Sequence, residues 1–250
     1  MKALITGASS GLGADFARIL SSKGYDLILV ARRKDKLKQL KEELNTNVDI
    51  ICTDLSSSFN CSRLYNKLKN EDIDILINNA GFGVFGSFET IKLEKELDLI
   101  DINVKAVHIL TKLFLTEFKK KGKGYILNVA SSAAFQPGPL MATYYASKSY
   151  VYNLTCALYE ELRRDDSDVK VSVLCPGPVN TEFNTVAGVE FGMKSLESYD
   201  VAKYAIDKMF KNKLVIIPGF QIKAAKFLGR FLPLKLLLKI TYNIQKKKVK

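Results

Sequence analysis

The chain is predicted to fold as one α/β domain, a doubly wound parallel sheet of seven strands with helices on both faces. Three observations predict this. Short β-branched runs alternate with longer helical patterns, the rhythm of parallel strands joined by helical crossovers. Most of those runs are apolar without a break, as strands covered on both faces are. The chain has 250 residues, 47% of them hydrophobic, enough for one full core and too apolar for general disorder. No linker or internal repeat divides it.

The elements follow in order. A first strand at 3–6 runs into a glycine turn and a helix at 11–22, which Gly24 ends. Strands at 26–31, 48–53 and 73–78 come next, with a helix at 34–44 after the second. Strands at 124–130 and 169–175 flank a long helix at 145–163, and a last strand spans 214–217. Pro176, Gly177 and Pro178 stop the sixth strand. In such sheets ligands bind beyond the carboxyl ends of strands, where the strand order reverses. Gly7, Asp54, Asn78, Ser131 and Pro176 all fall at those ends.

Gly7, Gly11 and Gly13 open the first helix with Ser9, Ser10 and Leu12 between them. Glycine permits positive φ and close approach of a ligand. A helix N-terminus offers amide groups and positive potential to a pyrophosphate. The spacing is Gly-x-x-x-Gly-x-Gly, not the Gly-x-Gly-x-x-Gly of the common Rossmann fingerprint, so alone it also fits a purely structural turn. Farther along, Tyr144 and Lys148 stand four apart and share one helix face. A free phenol, with a pKa of about 10, is too weak an acid to serve as a base near neutrality. A neighbouring ammonium favours the phenolate, as would the positive charge of an oxidised nicotinamide, so the phenol is expected to come toward working pH.

These motifs, in this order, resemble the short-chain dehydrogenase/reductase family. Thr6-Gly7-Ala8-Ser9-Ser10-Gly11-Leu12-Gly13 looks like its cofactor turn, and Asn78-Asn79-Ala80-Gly81 like its second signature. Ser131, thirteen residues before Tyr144, and the Tyr-x-x-x-Lys pair are similar to its active site. Pro176-Gly177-Pro178-Val179-Asn180-Thr181 is similar to its Pro-Gly-x-Val-x-Thr segment. The likeness covers residues 1 to 217. It implies a Rossmann-type fold and hydride transfer between a nicotinamide and a carbonyl or alcohol. Tyr144 is then the acid/base, Lys148 its partner and a ribose ligand, and Ser131 the group that polarises the carbonyl. Asn103 is the fourth active-site residue, holding a relay water, or else a kink in a long helix. Asp54 accepts from the adenine amino group, although it also fits an ordinary helix cap. Asn78 and Asn79 brace the central strand and border the adenosine, or form a structural turn, and Leu55, Ala80 and Gly81 belong to the cofactor site. Pro176, Gly177, Val179 and Thr181 meet the nicotinamide. Dimers or tetramers through the long central helices are expected from the same likeness.

Arg32 and Arg33 follow the second strand, where a cofactor without a 2′-phosphate meets an acid. A guanidinium fork suits a phosphate dianion, so NADP(H) is expected over NAD(H). Cys52, Cys61, Cys156 and Cys175 are scattered, and His108 is the single histidine, so no metal site is expected. His108 is expected to pack or form an interface. With no signal peptide or spanning run in view, a cytoplasmic protein is expected.

The net charge of +12 is lopsided. Twelve Lys and Arg and no Asp or Glu stand between Lys208 and Lys250, and the rest of the chain carries 26 of each sign. Residues 1–219 are therefore read as the cofactor-binding and catalytic unit, and 220–250 as a basic amphipathic extension of it. Phe220, Ala224, Phe227, Leu228 and Phe231 recur on one helical face, and Leu234, Leu237 and Leu238 resume it after Pro233. Three readings stand open for that face: packing on the domain or a second subunit, a lid on the substrate pocket, or contact at the periphery of an anionic membrane. No nucleic-acid module accompanies the charge. The expected function is an NADPH-dependent carbonyl reductase or alcohol dehydrogenase for an apolar substrate, lined by Phe183, Val186, Val189, Phe191 and Met193 in and around a loop at 187–196. The alternatives are a non-catalytic NADP-binding sensor, a membrane-surface protein on the same fold, and an isomerase or dehydratase using the same cofactor.

Overall fold

The structure is a computed structural model that describes residues 1–183, 188 and 195–247. The strands are β1 (Lys2–Thr6), β2 (Asp26–Ala31), β3 (Val48–Cys52), β4 (Ile73–Asn78), β5 (Gly124–Val129), β6 (Val169–Leu174), β7 (Val179–Asn180), β8 (Leu196–Glu197) and β9 (Val215–Ile216). The helices are α1 (Gly11–Ser22), α2 (Lys34–Glu42), α3 (Ser58–Leu68), α4 (Leu93–Ile100), α5 (Val107–Lys121), α6 (Ala142–Arg164), α7 (Ser198–Phe210), α8 (Phe220–Gly229) and α9 (Leu234–Lys246). Seven strands form one parallel sheet in the order β3-β2-β1-β4-β5-β6-β9.

Alternation along each strand divides the core in two. Ala3 and Ile5 of β1 join Leu27 and Leu29 of β2 against Phe16, Leu20 and Ile206 of α1 and α7. Leu4 and Ile28 point the other way, onto Leu64, Phe114 and Phe118 of α3 and α5. The predicted doubly wound sheet with helices on both faces is therefore the observed one. Most strand bounds differ from the predicted ones by a single residue, the usual fraying of ends. The small β7–β8 pair was not predicted, because two residues carry no alternation to read.

Two differences bear on function. The helix expected from residue 145 begins at Ala142, so Tyr144 lies in its first turn. The second concerns α8. Its predicted apolar face exists but turns away from the domain: Phe220, Phe227, Leu228 and Phe231 are 60–82% exposed. The inward positions are filled by Ile222, which abuts Gly177, and by Lys226, whose Nζ lies 4.5 Å above the Phe135 ring. On α9, Leu237 and Leu238 are half-buried, and Thr241 and Gln245 are the buried residues.

Candidate active site

Strand order reverses between β1 and β4, and the carboxyl ends of these two strands flank a cavity of about 750 Å³. Its wall includes every predicted site residue except Gly13, Asp54, Asn78 and Asn103. The sheet topology thus gathers motifs that lie up to 174 positions apart in sequence, from Gly7 to Thr181.

Gly7 has φ +64°, a conformation that side chains resist. Gly13 packs beneath it: a Cβ there would sit 2.2 Å from the Gly7 carbonyl oxygen. Gly13 therefore shapes the turn from outside the cavity. Asn79 Nδ2 donates to the carbonyl oxygens of Thr6 at 3.0 Å and Gly7 at 3.2 Å. Thr6 Oγ1 accepts from the amides of Asn79 and Ala80. These bonds lock the ends of β1 and β4 together. Asn78 does similar work inside, donating to Thr111 and Asn128. At the start of α1, Ser10 makes no side-chain cap bond and the first turn carries no acid. That helix end presents amides and positive potential to the cavity, which fits the pyrophosphate of a dinucleotide.

Arg33 covers the same turn. Its Nη2 donates to Ser10 Oγ at 2.7 Å, Ser9 Oγ at 3.2 Å and Glu182 Oε2 at 2.8 Å. Glu182, held below the usual carboxylate range first by the Arg33 hydrogen bond, went unrecognised in the sequence. It lies 149 positions from its partner, and only its neighbour Thr181 belongs to a motif. Arg32 is exposed, with Nη1 4.0 Å from Asp54 Oδ2. Asp54 accepts the Ser56 amide at 3.0 Å and stays outside the cavity wall. It does not cap α3: that position belongs to Ser57, which accepts from the Asn60 amide.

At the other end, Tyr144 and Lys148 are buried side by side on α6. Lys148 Nζ donates to the Val129 carbonyl at 3.0 Å and lies 5.9 Å from the centre of the Tyr144 ring. Burial pushes the Tyr144 phenol up to about 12, with a hydrogen bond to Ser131 pulling the other way. Burial also lowers the Lys148 ammonium to about 8. Among the chain's own groups, desolvation disfavours both charged forms; the acidification expected from the sequence also draws on the positive charge of the oxidised nicotinamide. Tyr145, the adjacent candidate, instead meets Gln245 Nε2 of α9 through its hydroxyl. Ser131 Oγ accepts from the Ala133 amide at 3.1 Å and also faces the Tyr144 hydroxyl.

Asn103 sits fully buried in a π-helical segment, Asp101–Ala106, between α4 and α5. Its Oδ1 accepts from the Phe82 amide at 3.0 Å. Its Nδ2 donates to the Phe82 carbonyl at 2.9 Å and to Ser147 Oγ at 3.1 Å. These bonds commit the side-chain amide to protein partners and brace the chain at Phe82. Asn103 fixes the chain beside Gly81, where an added Cβ would lie 2.8 Å from Oδ1 and 3.3 Å from Lys148 Nζ. Asn103→Ala is expected to destabilise the fold by about 2–3 kcal/mol, since it strands the Phe82 peptide groups. Chemical denaturation checks this.

Between Tyr144 and the C-terminal helices the wall carries the apolar side chains of Phe82, Met141, Phe183, Ile222 and Ile244, together with Gln136, Lys226 and Lys247. The Phe183 ring is 5.5 Å from that of Tyr144. Val186, Val189, Phe191 and Met193, expected on this side, lie outside the described residues. His108 of α5 is remote from the cavity wall and bonds the Tyr150 hydroxyl of α6 at 2.7 Å. Among the described residues no cluster of three or more His, Cys, Asp or Glu could hold a metal, and the four cysteines are free thiols. No described helix is long and apolar enough to cross a membrane.

Comparison with known proteins gives the same picture. The family model described as short chain dehydrogenase matches residues 1–211. A hydroxysteroid dehydrogenase-like protein 1 of Gallus gallus is 31% identical over 243 residues, covering 92% of this chain and 72% of the relative. A short-chain dehydrogenase from Sphingobium yanoikuyae, solved in complex with NADPH, superposes with a TM-score of 0.83 at 31% identity over 92% of this chain and 91% of that one. A short-chain dehydrogenase/reductase from Burkholderia phymatum, solved with NAD, gives 0.83 at 26% identity over 91% and 92%. With its strand order, its cofactor crevice and this match across most of its length, the chain belongs to the short-chain dehydrogenase/reductase family of oxidoreductases, which use a nicotinamide dinucleotide.

Proposed function

We propose that the protein reduces an apolar ketone or aldehyde to the alcohol with NADPH, Tyr144 supplying the proton. The observation that carries this reading is buried Tyr144 beside half-buried Ser131 and buried Lys148, in a cavity whose far end is a phosphate-fitting glycine turn. The bound dinucleotide supplies a hydride from nicotinamide C4. The chain supplies the rest. Ser131 Oγ polarises the carbonyl oxygen. The phenol, raised by burial, keeps its proton throughout the neutral range and is ready to give it to the developing alkoxide. Lys148, poised beside it, would hold the nicotinamide ribose, and Pro176, Gly177, Val179 and Thr181 would border the ring. Asn103 acts through Phe82 and Ser147 as a positioning residue. Residues 1–219 would carry the cofactor and the chemistry, with 220–250 adding wall to the substrate end. A homodimer or homotetramer would form through the outer faces of α5 and α6.

The preference for NADPH rests on Arg33, with Ser9 and Ser10 beneath it, and on exposed Arg32. A 2′-phosphate placed there would receive charge-assisted bonds and compete with Glu182 for the guanidinium. Arg33→Ala is expected to raise KM for NADPH by at least about tenfold, the loss of one such bond, and to leave KM for NADH nearly unchanged. A panel of apolar carbonyl compounds, assayed with NADPH and NADH side by side, tests both parts. Turnover with NADH alone would overturn the cofactor assignment, and no turnover with either would overturn the reaction.

A further inference from the structure

The C-terminal helices leave much of their apolar surface uncovered. On α9 the fully buried residues are polar, Thr241 and Gln245, which bond Gln136 and Tyr145 and are 1–2% exposed, while Leu237 and Leu238 are half-buried. Its outward stripe is Leu236, Ile240 and Ile244, spaced four apart. On α8 the charged Lys226 is turned inward over Phe135 and Tyr152, and Phe227, Leu228 and Phe231 face out. An ordinary surface helix does the reverse. Two consecutive helices of this kind expose far more contiguous apolar side chain than scattered surface residues would.

The charge says what covers them. Arg230, Lys235, Lys239 and Lys246 are exposed on the same segments as the apolar stripes, Lys223 turns its ammonium to Tyr204, and no Asp or Glu occurs after Asp207 in the sequence. A second copy docked face to face would bring one basic rim against another with no acid to pair it. An anionic lipid leaflet satisfies both features, since its acyl region takes Phe and Leu and its headgroups take the lysines.

We infer that α8 and α9 form a docking surface for an anionic phospholipid membrane, on which the protein lies without spanning it. Ile244 belongs both to the outward stripe and to the wall of the cavity, as do Ala225 and Lys226 beside it on α8 to that wall. The cavity thus opens beside the docked face, and an apolar substrate could enter it from the leaflet. That last step rests on the proposed reduction; the docking does not.

Co-sedimentation of the full chain with phosphatidylcholine–phosphatidylglycerol vesicles, and with phosphatidylcholine alone, tests the inference without reference to activity. Binding to the mixed vesicles is expected to exceed binding to the neutral ones by at least about tenfold and to weaken at high salt. Phe227→Ser with Phe231→Ser, and separately Lys235→Gln with Lys239→Gln, should each lower it by about tenfold while leaving the thermal melt unchanged. All four positions are exposed and lie outside the cavity wall. Absence of binding to mixed vesicles, equal binding to neutral ones, or variants that bind like the parent would overturn the inference. So would self-association that disappears in the Phe227/Phe231 variant without any vesicle binding, which would make a second copy the occupant.

Discussion

Tyr144→Phe is expected to lower kcat for carbonyl reduction by about 10³-fold, within the range for removal of a positioned general acid. The variant keeps the ring, and with it the contacts to Phe183 and Tyr145. It removes only the hydroxyl that bonds Ser131. NADPH affinity, measured by calorimetry, should therefore change by less than about twofold, within the weight of one modest contact. Tyr145→Phe makes the control. Its hydroxyl faces Gln245 of α9, so it should retain turnover within about tenfold, the change expected when no positioned acid is lost. A Tyr145 variant that is dead beside an active Tyr144 variant would reverse the assignment.

Lys148→Met should separate stability from activity. In the folded chain the ammonium is buried and falls from its ordinary 10.5 to about 8. A fall of that size means roughly 3 kcal/mol of destabilisation at neutral pH, where folded and unfolded chains both carry the charge. Losing the bond to the Val129 carbonyl returns about 1 kcal/mol. The variant should then be more stable by roughly 2 kcal/mol, with Tm higher by about 4–8 °C for a chain of this size. Turnover should fall by about 10²-fold or more, since the group beside the phenol is gone. The pH dependence has a definite sign. Between about 8 and 10.5 the unfolded chain still holds this proton and the folded chain has released it, so this group's contribution to parent stability rises with pH across that window. The variant should lack the rise. A less stable variant would mean that Lys148 is held by more than its bond to Val129. Sites that cost stability to serve chemistry are a general pattern, and the proposed role of this lysine would make it an instance.

The parts of this molecule that follow from local pattern were legible in its sequence. Continuous apolar runs gave the strands their two covered faces, and the glycines between Gly7 and Gly13 marked the turn that α1 starts from. What escaped reading depends on partners far along the chain. Glu182 meets Arg33 only because the chain leaving β7 and the chain leaving β2 reach the same crevice. The amide of Asn103 looks available in sequence and is spent on Phe82 and Ser147 in space. The direction of the Tyr144 shift turns on depth of burial, which spacing on a helix does not report. The outward face of α8 was correctly periodic, but periodicity identifies a face and not its orientation. Only the close seat of Ile222 against Gly177 decides which side of that helix turns inward.

The central claim is that hydride passes to a carbonyl carbon within this cavity while Tyr144 protonates the oxygen. A single turnover with NADPH deuterated at the transferring C4 position, followed by mass spectrometry of the alcohol, tests it most directly. One deuterium on the carbinol carbon is the expected result, with the rate of its appearance falling about 10³-fold in Tyr144→Phe. An alcohol product without deuterium, or transfer at an undiminished rate in that variant, would contradict it.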